Sequence, residues 1–217
     1  KWDGAPAIIC GVNPQNNRFF VGTKSVFAKR SKAAYTPAQI RSYYEGNLGD
    51  KMENAFIYLK RLGIKQVLQG DLLFDDDIKQ DTGDAITFQP NTIVYKVDKG
   101  TELYNQVSRA RLGIAFHTTY VGDTLADMDA QFGADISGLK KTNDVWVDDA
   151  TIKINLASKF INSEKSPGLK KGGVLNIVRR KVELKCPSEN IPDEIIVDLD
   201  NTEINSSLKI SSVKLPE

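Results

Sequence analysis

Four residues at the start of the chain, Lys1-Trp2-Asp3-Gly4, place an amine two positions before an Asp-Gly turn. A lysine in that setting is either a solvent-exposed turn residue or a nucleophile. As a nucleophile its amine must lose its proton, so the surroundings must depress its pKa, and a metal or basic groups must neutralise the phosphate it attacks. The glycine would let the backbone approach a bound nucleotide closely. Further along stand Lys24 in FFVGTKS, Asp71 in VLQGDLLF, Tyr95 and Asp98 in NTIVYKVD, and the single histidine, His117, in GIAFHTTY. A lone histidine inside an apolar strand is more often a hydrogen-bonded core residue than a catalyst. The acidic run at 75–77 reads as a solvated loop, and Lys170, Lys171 and the basic triplet at 179–181 as exposed residues able to meet a nucleic-acid backbone.

The elements that must position these residues follow from pattern. AIICGV and RFFVGTKSVF flank the turn residues NPQNN, which predicts a hairpin. Thr36-Pro37 is a helix start, with threonine as N-cap and proline at the first helical position. Met52, Ala55, Phe56, Leu59 and Leu62 recur at helical spacing and predict an amphipathic helix over 50–62, closed by Gly63. IKQVLQGDLLF predicts a strand interrupted at Gly70-Asp71, and AITFQPNTIVYKVD two more. Residues 101–111 are expected to be helical, GIAFHTTYV a buried strand, and 123–132 a short helix. Beyond 150, TIKINLASKFI fits helix or strand and VLNIVRRKVELK a strand or hairpin. The pattern predicts an α+β protein with largely antiparallel sheets, divided as 1–150 and a peripheral or divergent 151–217.

Composition narrows the classes. With 41% hydrophobic and 26% charged residues and a net charge of +1, the chain is that of an ordinary globular protein. Residues 1–65 hold eleven Lys and Arg against four Asp and Glu, and residues 66–100 hold three against seven. That gradient would suit a polyanion with a divalent cation, and solvated faces produce it as well. Two distant cysteines without Cys-x-x-Cys or histidine partners argue against zinc and fit a reducing cytoplasm. No apolar run approaches a membrane span.

Taken in order, KWDGAPA, FFVGTKS, QGDLLF, NTIVY and GIAFHTTY resemble the covalent nucleotidyltransferases, namely the DNA and RNA ligases and mRNA capping enzymes, and most nearly a ligase-like family of large tailed bacteriophages. The resemblance covers roughly residues 1–150. It implies an ATP-grasp-like ligase adenylylation domain that forms a lysyl-AMP at Lys1 and acts on nucleic-acid ends. It also implies ATP as AMP donor, with Trp2, Asp3, Gly4, Lys24, Asp71 and Tyr95 binding nucleotide. Asp71 would help hold Mg²⁺, which takes one or two carboxylates beside phosphate and water. The chain departs from the pattern later: its one Glu-Gly, Glu45-Gly46, precedes QGD, and Lys153 is a poor match for the lysine pair of the final motif. A chain starting on the would-be nucleophile is therefore expected to be a fragment. The alternative expectation is a phage accessory protein that keeps the fold as a nucleotide- or nucleic-acid-binding module.

Overall fold

The structure, a computed structural model, describes residues 2–149, 151–178, 181–187, 192, 194–209 and 213, with the side chains of 151–157 and 181–187 outside that description. Contacts divide the chain into two compact units, Lys1–Ala150 and Thr151–Glu217.

The first unit is built on one sheet. The hairpin β1 (Ala7–Asn13) and β2 (Arg18–Gly22) turns through NPQNN, with Asn17 at positive φ. A 3₁₀ turn, Lys24–Phe27, follows, with the Thr23 hydroxyl accepting from the Ser25 N–H, so Lys24 lies in this turn and not in an extended strand. Helix α1 (Pro37–Tyr43) starts where sequence places it: the Thr36 hydroxyl accepts from the Gln39 N–H. Helix α2 (Gly46–Leu59) buries Met52, Ala55, Phe56 and Leu59, then tightens into a 3₁₀ turn at Lys60–Leu62. Gly63 stops it at φ 69°, the left-handed conformation a side chain would oppose.

Strand β3 (Val67–Asp75) runs through the middle of the sheet and is buried along nearly its whole length. A small second sheet comes next, from β4 (Gln80–Asp81), β5 (Ala85–Phe88) and β6 (Tyr95–Asp98), followed by helix α3 (Glu102–Arg109) and the long strand β7 (Leu112–Val121). The expected helix at 123–132 is instead a single 3₁₀ turn, Leu125–Asp127, and a strand, β8 (Asp129–Phe132), pairing with the outer half of β7. The pull of an open β7 edge outweighs weak local helix propensity there. Strand β9 (Val145–Asp149) pairs in parallel with the other half of β7. The sheet order is β2-β1-β3-β7-β8, with β9 also on β7.

The sheet separates two apolar layers. Ile8, Cys10, Leu68, Leu72, Ile114 and Phe116 face α1 and α2 in one cluster. On the opposite face the apolar residues form two groups. Ile9, Phe20, Val26 and Val67 pack at one end, and Leu73, Phe74, Ala115 and Trp146 pack against β5, β6 and α3 at the other. α3 is tied to this end by Lys79, whose ammonium donates to the carbonyls of Val107, Ser108 and Ala110 where the helix stops, while partial burial lowers its pKa.

The second unit contains β10 (Thr151–Ile161), a helical turn α4 (Pro167–Lys170), β11 (Lys181–Pro187) and β12 (Ile195–Asp198). β10 lies between β11, antiparallel, and β12, parallel. TIKINLASKFI is therefore a strand. Of VLNIVRRKVELK, the part over 174–178 adopts neither helix nor strand, and Arg179 and Arg180 lie outside the described residues.

Candidate functional site

The face of the first sheet opposite α1 and α2 carries a polar strip between its two apolar groups. Directly opposed residues of paired strands share a face, and Ala7, Asp71 and Ala115 are opposed across β1, β3 and β7. Two residues earlier on β3, Gln69 opposes Ile9 of the other apolar group. The register shifts between Gln69 and Gly70, at the Gly-Asp interruption visible in the sequence, and His117 is the unpaired β7 residue across from that bulge. A bulge re-aims side chains, and here it turns His117 toward Asp71. His117 Nε2 stands 3.6 Å from Asp71 Oδ1, the two side chains being 20% and 24% exposed. That separation exceeds a good hydrogen bond, so the contact becomes an ion pair only when the imidazole carries a proton. His117 Nδ1 is 2.7 Å from the Thr118 hydroxyl. Beside them the Tyr120 hydroxyl donates to Gln69 Oε1 at 2.6 Å.

The N-terminal segment lies at the adjoining aromatic end. The Trp2 ring sits 5.0 Å from Tyr95 and 5.1 Å from Trp146, and its indole N–H donates to Asp148 Oδ2 at 2.8 Å. Phe88 stacks on Tyr95 at 5.3 Å and tilts against Phe74 at 4.9 Å. The Asp3 N–H donates to the Tyr95 hydroxyl. Gly4 passes so close to β3 that a Cβ there would come within 2.3 Å of the Leu72 carbonyl oxygen.

Of the residues the sequence singles out, the structure thus brings Trp2, Asp3 and Tyr95 into one cluster, sets Gly4 against the backbone of the strand bearing Asp71, and pairs Asp71 with His117. Lys24 is exposed after β2, and no hydrogen bond or ion pair among the described residues joins it to the others. Lys1 lies outside the described residues, as does the side chain of Lys153. Among the described residues there is no group of three or more His, Cys, Asp or Glu able to hold a metal ion, and Asp71 has one such neighbour, His117. Trp146 and Asp148, which complete the Trp2 setting, drew no reading from the sequence; they are placed by the parallel pairing of β9 with β7.

Chemically the strip is a place for hydrogen bonding: a partly exposed carboxylate and imidazole, flanked by hydroxyls, beside an aromatic wall in which the Trp2 indole N–H and the Tyr95 hydroxyl are already paired. The fold is mixed α/β with mostly antiparallel sheets. The chain belongs to the family described as "Family of unknown function (DUF6267)", whose profile matches residues 1–209. Curated relatives carry the name large ribosomal subunit protein bL25. The protein of Pelagibacter ubique (strain HTCC1062) is 67% identical over 66 residues, 30% of this chain and 29% of the relative. That of Novosphingobium aromaticivorans is 53% identical over 68 residues, 31% and 33% of the two chains. That of Chelativorans sp. (strain BNC1) is 56% identical over 66 residues, 30% and 31%. The chain spans about three-tenths of the length of these relatives.

These findings overturn the resemblance to ligases and to a phage ligase-like family. With it fall the reaction through a lysyl-AMP at Lys1 and the ligase, ATP-binding and magnesium attributes drawn from it. The physical reason is visible at the first motif. Lys-x-Asp-Gly is short enough to arise for structural causes, and here Trp2, Asp3 and Gly4 are engaged in packing and backbone bonding: the indole N–H with Asp148, the Asp3 amide with Tyr95, and Gly4 against Leu72. Identity at two-thirds of 66 aligned positions carries far more information than five short motifs in order.

Proposed function

We propose that this protein is an RNA-binding protein that associates with the large ribosomal subunit. The observation that carries this is the 67% identity over 66 residues to a protein named for that subunit. The length of the matched stretch, 66 to 70 residues among the relatives, is that of the second unit, Thr151–Glu217, and we assign the association to that unit. Ribosomal RNA is a dense polyanion, so binding is expected to weaken steeply with salt.

The test is co-sedimentation of the full chain with purified bacterial large subunits on sucrose gradients, paired with filter binding to protein-free RNA extracted from those subunits. Co-migration with the subunit and saturable binding to its RNA support the function. A chain that stays at the top of the gradient and fails to retain the RNA at low salt overturns it.

A further inference from the structure

We propose that residues 165–178 form the surface that meets the RNA, with Lys165, Lys170 and Lys171 on the phosphate backbone. This rests on the RNA-binding function proposed above and names the part of the chain that performs it.

Charge is segregated sharply in this part of the sequence. Residues 165–181 contain six Lys and Arg and no Asp or Glu, whereas residues 182–203 contain seven Asp and Glu and one lysine. The structure gives the described part of this run, residues 165–178, a fixed base and an exposed tip. At the base, Ser166 is buried, its hydroxyl donates to the Thr202 carbonyl at 2.9 Å, and the Gly168 N–H donates to the same carbonyl at 2.8 Å. Gly168 has no room for a side chain, since a Cβ would lie 2.8 Å from that oxygen. The helical turn then ends at Gly172, φ 87°, and the Gly173 N–H closes back on the Gly168 carbonyl at 2.9 Å. Beyond this the chain leaves regular structure. Val174 is 92% and Val178 87% exposed, more than any other large apolar residue described, the next being Val94 at 61%.

Val174 and Val178, held almost wholly in water, put apolar side chains at the tip of a run that carries lysines and no carboxylate. Charge decides the partner. A protein surface facing this loop would have to supply an excess of carboxylates, while RNA supplies a phosphate at every nucleotide and, between phosphates, sugar and base faces for apolar side chains. Lys171 is paired with Glu203 at 2.9 Å, but that pair is open to solvent and readily exchanged for a phosphate contact. The first unit contains a rival basic stretch at 29–32, which shows no comparable apolar exposure.

The test uses the full chain and protein-free RNA from large subunits, with filter binding from 50 to 200 mM KCl. Replacing Lys165, Lys170 and Lys171 together by glutamine is expected to weaken binding at least tenfold at the lower salt. It should also reduce the slope of log affinity against log salt by about 2 to 3, because each lost phosphate contact removes about 0.7 to 0.9. Replacing the same three by arginine should restore both, and replacing Lys29, Arg30 and Lys32 by glutamine should change neither. Unaltered melting of each variant separates lost contact from lost fold. If the wild-type chain binds no RNA, the proposed function fails and this surface with it. If the wild type binds and the Lys165, Lys170 and Lys171 variant keeps the same slope, or the loss follows the 29–32 variant, this surface alone is overturned. Loss of intact subunits with RNA binding preserved would make the partner a ribosomal protein, and would overturn it equally.

Discussion

The backbone of Asp3 and the hydroxyl of Tyr95, 92 positions apart, hold each other from both sides: the Asp3 N–H donates to the tyrosine oxygen at 2.7 Å, and the tyrosine O–H donates to the Asp3 carbonyl at 3.3 Å. An N-terminal segment without regular structure is thereby tied to β6 of the small sheet, and Trp2 is delivered into the aromatic cluster between the two sheets. Both backbone groups of a non-helical, non-strand residue find partners in a single side chain, which satisfies the demand that partly buried peptide groups be bonded.

Replacing Tyr95 by phenylalanine keeps the ring and its stacking on Phe88 but strands both Asp3 backbone groups. The expected cost is about 1 to 2 kcal/mol in the stability of the first unit. Trp2 and Trp146 are the chain's two tryptophans and lie in contact there. Urea unfolding followed by tryptophan fluorescence reads the change directly, and a midpoint equal to wild type would show that the bond contributes nothing.

Gly4→Ala puts a methyl within 2.3 Å of the Leu72 carbonyl oxygen, a backbone atom of the central strand that cannot swing aside. Overpacking against fixed backbone is expected to cost about 1 to 3 kcal/mol. The same fluorescence-monitored unfolding tests it; a neutral result would mean that residues 2–6 peel off the sheet at little cost.

The carboxyl of Asp198 in the second unit accepts from the Asp200 N–H and from the Asn162 amide, both at 2.9 Å, and Lys165 adds attraction, so its pKa falls below the ordinary 3.8. A carboxyl depressed in the folded state contributes stability above its unfolded value, and this is lost as pH falls through the folded one. Asp198→Asn should therefore melt below wild type at pH 7 and approach it below pH 3.8. Calorimetry of the two proteins across that range checks the sign, and a gap that widens on acidification would contradict it.

Cys10 is completely buried, and burial pushes its thiol far above the ordinary range. Disulfide reagents attack thiolate, so in a Cys186→Ser background the native protein should give no reaction at pH 8 until guanidinium unfolds it. Rapid native labelling would show that β1 opens.

The N-cap at Thr36, the apolar stripe of α2, the stop at Gly63 and the β1–β2 hairpin are all legible in the sequence, because each rests on interactions within a few residues. Strand β8 is not, since its strand character comes from the open edge of β7. The candidate site divides the same way. Gly70-Asp71 announces an interruption, but only the pairing of β3 with β7 shows that the resulting bulge carries His117 to Asp71. Lys1 to Gly4 read locally as a nucleophile and a turn, whereas Trp2 through Gly4 are engaged by Asp148, Tyr95 and Leu72, residues remote in sequence. Local propensity, capping and periodicity are short-range and therefore written in the chain. Which side chains share a face, which polar atoms are already satisfied and which valines remain in water depend on long-range pairing, and only the tertiary structure decides them.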